Sequence, residues 1–157
     1  MEPGSETAVV QRFESSLMSA SRGIRRIYDL WLGELGLNLT ESLLLSHVAA
    51  HGPTIQAKLA EELGLGRPAT GDVIDSLVAR GLVIRQPDAR DRRVWLVVTT
   101  DAGQAQAARV AALDAELGRS LRRGLSKQER AQLAAMLGAV QGNLDQMLAN
   151  WSSRHSR

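Results

Sequence analysis

The chain contains no cysteine. Disulfides, cysteine-based zinc sites, thiol catalysis and thiol redox sensing are excluded at once. Lysine is almost as scarce: of 19 basic residues only Lys58 and Lys127 are lysine, and the other 17 are arginine. No apolar run approaches the ~20 residues that a membrane-spanning helix needs. Met1 to Thr7 is polar and acidic, with no basic segment ahead of a hydrophobic one, so no secretory signal and a cytoplasmic location are expected. The usual parts of an enzyme are also missing. There are three histidines, no glycine-rich phosphate loop, and no serine or carboxylate cluster beside a base. Neither catalysis nor a cofactor is expected.

What remains is a chain of 157 residues, 44% apolar and 23% charged. That length and balance fit one compact unit with helical extensions, large enough to bury a core. The net charge of +2 decides nothing about partners. Arginine is the better fork for phosphates and guanine edges, although a GC-rich coding bias enriches it too. Where the arginines sit is what matters.

Apolar periodicity predicts a helix from Val9 to about Leu35, through Val10, Phe13, Leu17, Ile24, Ile27 and Trp31, closed by Gly33, Gly36 and Asn38. Thr40 reads as the N-cap of a second helix that Gly52-Pro53 stops. Thr54 reads as the cap of a short helix from Gln56 to Leu63, ended by Gly64. Another helix starts near Arg67, with Pro68 in its first turn and Val73, Ile74, Leu77 and Val78 as its stripe. The period then changes. Leu82 to Arg85 and Val94 to Thr99 are strand candidates joined by a charged loop, a hairpin with a long basic tip. Thr100 or Asp101 caps a helix to about Arg123. Ser126 and Glu129 fit a capping box for the last helix, whose Leu133, Leu137, Val140, Leu144, Met147 or Leu148, and Trp151 alternate by three and four. The tail Ser152–Arg157 is expected to fray.

The centre of the chain is therefore two short helices around a tight turn, then a hairpin. Helix–turn–helix units set the start of their second helix against base edges in the major groove. Here that start reads Arg67-Pro68-Ala69-Thr70-Gly71-Asp72. Arg67 suits a phosphate or guanine, Thr70 a phosphate or base, and Ala69 a thymine methyl. Asp72 suits a cytosine amine, or else serves the helix dipole or orients Arg67. Gln56, opening the preceding helix, joins Arg67, Pro68, Ala69, Thr70 and Asp72 as a DNA-contact candidate. On the hairpin tip, Arg90, Arg92 and Arg93 crowd together with Asp88 and Asp91. Such a tip fits a narrow minor groove. Asp91 makes sense there as the bidentate brace of an arginine. The plainer reading of the tip alone is a solvated charged turn.

Leu39-Thr40-Glu41, Ile55-Gln56 with Leu59-Ala60 and Leu63-Gly64, Gly81-Leu82-Val83-Ile84-Arg85, and Asp91-Arg92-Arg93 followed by Thr99-Thr100-Asp101-Ala102-Gly103 together resemble the MarR family of multiple-antibiotic-resistance regulators. The run from Gly81 to Gly103 is the most specific part. The resemblance implies a mainly α fold with a small β-hairpin wing, a winged helix–turn–helix over residues 39–103. It implies an intertwined homodimer built from residues 8–38 and 104–154. It carries over Arg93 as the wing arginine and Asp91 as its brace, and it implies a repressor on double-stranded DNA with an inverted-repeat operator. Two positions depart from the family pattern. Many members carry threonine-arginine where this chain has Gly71-Asp72, which implies different base contacts, and the strand-end leucine is Thr99.

The last helix carries more apolar surface than a lone helix can cover, so a second copy is expected. The resemblance further implies a pocket for a small lipophilic or aromatic-acid effector. Arg25, Tyr28, Trp31, His47 and His51 are its candidates: aromatic faces to stack on a ring, and Arg25 to take a carboxylate. Trp31 at helical spacing also reads as core. His47 and His51 stand four apart, but His-Val-Ala-Ala-His lacks the glutamate of the zinc-protease motif, so polar packing rather than a metal site is expected. A winged-helix adapter for protein partners, or a regulator without an effector, is the alternative. The arginines on the tip argue against the adapter.

Overall fold

The computed structural model describes residues 3–155, with side chains described from residue 12, so Val10 falls outside the described side chains. The elements are α1 (Pro3–Glu34), α2 (Leu39–His51), β1 (Thr54–Ile55), α3 (Gln56–Glu62), α4 (Arg67–Ala79), β2 (Val83–Pro87), β3 (Trp95–Thr99), α5 (Asp101–Leu121) and α6 (Lys127–His155). They fall into two compact units, Met1–Asp114 and Ala115–Arg157. The mainly helical architecture with a β wing is the one expected.

Local chemistry sets the boundaries. α1 begins at Pro3, earlier than Val9; proline suits a first helical turn because its missing N–H is not needed there. α2 is capped by Asn38, not Thr40. The Asn38 side chain accepts from the Glu41 amide and Glu41 accepts from the Asn38 amide, each at 2.9 Å. This reciprocal box satisfies two amides that a lone cap at Thr40 would leave open. The second box is the expected one: Glu129 accepts from the Ser126 amide at 2.7 Å, and Ser126 from the Glu129 amide at 3.2 Å. The Ser126 hydroxyl, and after it the Ser126 amide, favour the ionised form and hold the Glu129 carboxyl below its usual value. Gly64 and Gly81 adopt φ of +63° and +68°, ending α3 and α4 where a side chain would be strained. α6 stays helical through Ser152–His155 rather than fraying there.

The sheet has one more strand than the sequence suggests. β3 pairs antiparallel with β2, with Val83 opposite Thr99, and on its other edge with β1, with Thr54 opposite Val97. Thr54 is thus a strand residue, and the helix after it starts at Gln56, with Ile55 in the N-cap position and no side-chain cap bond. The Thr54 hydroxyl is buried and has no hydrogen-bond partner among the described residues.

The core of the first unit gathers Leu32 and Leu37, Leu44, Leu45 and Val48 of α2, Leu59 of α3, Ile74 and Leu77 of α4, Val83 and Val97 of the sheet, and Ala107 and Val110 of α5. Each large side chain buried this way contributes about 1.5–3 kcal/mol. The start of α5 is locked against the sheet. Thr100 Oγ1 donates toward the Gly81 carbonyl at 2.6 Å and accepts from the Gly103 amide at 3.0 Å. A Cβ at Gly103 would lie 1.9 Å from the Leu82 carbonyl oxygen, so only glycine fits. The Thr-x-x-Gly pattern is therefore a packing requirement. In the second unit, α6 has no buried residue.

Candidate nucleic-acid interface

Two features frame the surface around α4. Near its C-terminal end, buried Glu41 accepts from Ser76 Oγ at 2.6 Å and pairs with Arg80 at 3.3 Å. Arg85 of β2 pairs with Asp75. Helix α4 is thereby tied to α2 and to the hairpin, so its N-terminal end is presented by a rigid base.

At that end Arg67, Pro68, Ala69 and Asp72 are all exposed. The Arg67 guanidinium and the Asp72 carboxylate make no ion pair or hydrogen bond among the described residues. Asp72 therefore does not orient Arg67, and it stands beyond the first turn, where the helix dipole would favour it most. Thr70 overturns its sequence reading. It is fully buried, and its hydroxyl donates to the Gly66 carbonyl at 3.0 Å. It belongs to the core and cannot reach a base. Gln56 is half-buried and donates from Nε2 to the Arg67 carbonyl at 3.2 Å. Its amide lies 3.1 Å from where a Cβ on Gly71 would sit. Gly71 thus lets α3 approach α4, and Gln56 positions the Arg67 backbone.

The hairpin tip is built differently. Asp88 and Val94 close it, the Asp88 amide donating to the Val94 carbonyl at 2.8 Å. Asp88 Oδ1 accepts from the Arg90 amide at 2.8 Å, and Asp91 Oδ1 from the Arg93 amide at 3.0 Å. These are two successive Asx turns, each carboxylate folding the chain two residues ahead. The expected bidentate brace from Asp91 to a guanidinium is not formed. Asp91 holds the backbone of Arg93 instead. Arg90, Arg92 and Arg93 are exposed, and none of their guanidinium groups is bonded among the described residues. The aspartates are engaged in the turn and the arginines are left facing solvent, an arrangement suited to phosphates and groove edges.

The five effector candidates do not gather. A cavity of about 290 Å³ is lined by Tyr28, Leu39, Ser42, Leu43, Ser46, Val110 and Asp114. Of the five, only Tyr28 reaches it. Arg25 is exposed on α1, and Trp31 is half-buried away from the lining. His47 pairs with Glu62 at 2.8 Å, linking α2 to α3, and stacks on His51 at a ring separation of 4.3 Å. His51 Nδ1 lies 2.9 Å from the His47 carbonyl. His47 thus joins the helix pair, and His51 stacks on it at the surface. Asp114 is the lining residue that the sequence did not reveal. Tyr28 donates to its Oδ1 at 2.9 Å across 86 residues of chain. Burial, then that hydrogen bond and the carboxylate's charge, raise the Tyr28 phenol above its ordinary value, so it remains a donor.

Known proteins share this fold. The sequence profile of the MarR family matches residues 35–94, from the end of α1 through the hairpin tip. The solved transcriptional regulator PA3341 is 30% identical over 85% of this chain and 98% of its own, with a TM-score of 0.70. MepR of S. aureus, solved as a DNA complex, is 21% identical over 84% of this chain and 97% of its own, with a TM-score of 0.73. BpsR of Bordetella bronchiseptica is 21% identical over 83% of this chain and 98% of its own, with a TM-score of 0.69. The last two share the fold. With the profile match and the likeness to PA3341 added to a winged helix–turn–helix and an arginine-tipped hairpin, the chain belongs to the MarR family of DNA-binding transcriptional regulators, which are not enzymes.

Proposed function

We propose that the chain acts in the cytoplasm as a homodimeric repressor that binds an inverted-repeat operator and is released by a small lipophilic effector. The observation that carries the dimer is α6, which buries none of its side chains although it bears Leu133, Leu137, Leu144, Met147, Leu148 and Trp151. Trp151 alone is 65% exposed. Phe13, Met18 and Leu30 of α1 are exposed as well. A monomer rarely leaves that much apolar surface to water. A second copy covering it by two-fold symmetry would set residues 8–38 and 104–154 at the interface and leave residues 39–103 as the DNA-reading lobe. Two copies of α4 would then meet successive major grooves roughly 34–36 Å apart.

Within each lobe, Arg67, Pro68, Ala69 and Asp72 would face the major groove, and Arg90, Arg92 and Arg93 the adjacent minor groove or backbone. Asp91 sets the turn that presents Arg93, and Gln56 sets the backbone of Arg67. The cavity at Tyr28 is the effector site in this reading. It joins α1, α2 and α5 within the first unit, so a ligand there would shift α2 and, through Glu41, Ser76 and Arg80, α4. Half-site spacing is geometric, so a small change in the separation of the α4 copies would release the operator. The BpsR structure was determined to explain how 6-hydroxynicotinic acid regulates that protein's DNA binding. Light scattering and a gel shift with the DNA upstream of the chain's own gene test the proposal together. A dimer that retards that DNA in preference to a scrambled fragment supports it. A monomer, or equal binding to both fragments, contradicts it.

A further inference from the structure

The cavity at Tyr28 is chemically one-sided. Its walls are apolar, from Leu39, Leu43 and Val110, with the Tyr28 ring and the hydroxyls of Ser42 and Ser46. The Ser42 hydroxyl is already engaged, donating to the Leu39 carbonyl at 2.8 Å. One lining group carries a formal charge, and it is a carboxylate, Asp114. No lysine, arginine or histidine lines the cavity among the described residues. Oδ1 of Asp114 accepts from Tyr28, while its Oδ2 accepts from no group among the described residues.

We infer that the ligand of this cavity is a small lipophilic amine or similar monocation, whose charged head pairs with Asp114 while its apolar body fills the cup of Leu39, Leu43 and Val110. The inference rests on the effector-site reading above. An aromatic acid placed there would bring a second negative charge beside Asp114, with no lining cation to neutralise either. A cation gains a charge-assisted hydrogen bond to the open carboxylate oxygen. Tyr28 also lines the cavity, and an aromatic ring attracts positive charge over its face. The phenol stays protonated and keeps donating to Oδ1, which orients the carboxylate and leaves Oδ2 for the ligand. Arg25, one helical turn before Tyr28, is exposed and outside the lining.

The test uses the full chain and three probes that share one body: para-tert-butylbenzylamine, para-tert-butylbenzyl alcohol and para-tert-butylbenzoate, each titrated calorimetrically at neutral pH. The amine is expected to bind about tenfold more tightly than the alcohol, with the benzoate weakest. Asp114→Asn should remove the amine's advantage over the alcohol, while Asp114→Glu, which keeps the charge, should retain the preference. Benzoate binding as tightly as the amine, or an amine affinity untouched by Asp114→Asn, overturns the inference. Leu43→Trp separates the two levels, because Leu43 is a half-exposed wall residue whose enlargement fills the cup. If all three probes bind alike and Leu43→Trp abolishes them all, the cavity is a ligand site and the charge preference fails alone. If no probe binds, or Leu43→Trp changes nothing, the effector-site reading fails with it.

Discussion

The hairpin tip and the start of α4 both looked like DNA-contact surfaces, and the chain builds them in opposite ways. At the tip, packing and recognition use different residues. Asp88 and Asp91 fold the turn through backbone amides, and the guanidinium groups of Arg90, Arg92 and Arg93 carry no structural bond among the described residues. At the start of α4 packing takes residues that read as DNA contacts. Thr70 is spent on the core and on the Gly66 carbonyl, Gln56 on the Arg67 carbonyl, and Gly71 on the approach of α3. Only Arg67, Pro68, Ala69 and Asp72 stay free for a ligand. The contrast suggests that affinity is concentrated in the wing, while α4 contributes fewer contacts than its composition suggests.

The largest effect is expected at the tip. Replacing Arg90, Arg92 and Arg93 together with alanine should weaken operator binding by about 3 kcal/mol or more, since each arginine–groove or arginine–phosphate contact is worth roughly 1–3 kcal/mol. The melting temperature should not move, because no guanidinium there holds the fold. A large drop in melting temperature would erase the distinction between the regions. Arg67→Ala should cost less, about 1 kcal/mol of binding, with a shallower salt dependence if the contact is to phosphate. Anisotropy titrations at several salt concentrations read both quantities.

Thr70→Val reverses the pattern. Loss of its buried hydroxyl bond should lower stability by about 1 kcal/mol in chemical denaturation. Affinity measured on folded protein should stay unchanged, and a loss of affinity without a loss of stability would return Thr70 to the interface. The smallest effect belongs to Asp91→Asn. Asparagine can accept the same backbone amide, so the turn should persist while one negative charge leaves the wing, tightening DNA binding about twofold. Weakened binding would show that Asp91 acts on a guanidinium after all.

Much of this was legible in the sequence because the signals were local. The capping box at Ser126 and Glu129, the glycines after α3 and α4, and the change of period at Leu82 each depend on residues a few positions apart. The box at Asn38 and Glu41 was equally local, but Thr40 competed for the role. Thr70 lies four residues before Ile74 and seven before Leu77, the spacing of a helix's buried stripe, so its burial was readable from a pattern that its hydroxyl obscured. β1 was not readable, because a two-residue strand has no periodicity and exists only through its pairing with Val97 and Leu96. The cavity was half readable. Tyr28 was visible as an aromatic residue on the first helix, but its partner Asp114 is 86 residues away and ordinary in its own neighbourhood.

The most direct test of the central claim, that the unpaired arginines of the hairpin tip carry most of the grip on DNA, is one pair of anisotropy titrations. Wild type and the Arg90/Arg92/Arg93→Ala variant are titrated onto the upstream DNA at a single salt concentration. The predicted result is a loss of about a hundredfold or more in affinity for a variant that melts like wild type. Affinity within about twofold of wild type in an equally stable variant would contradict it.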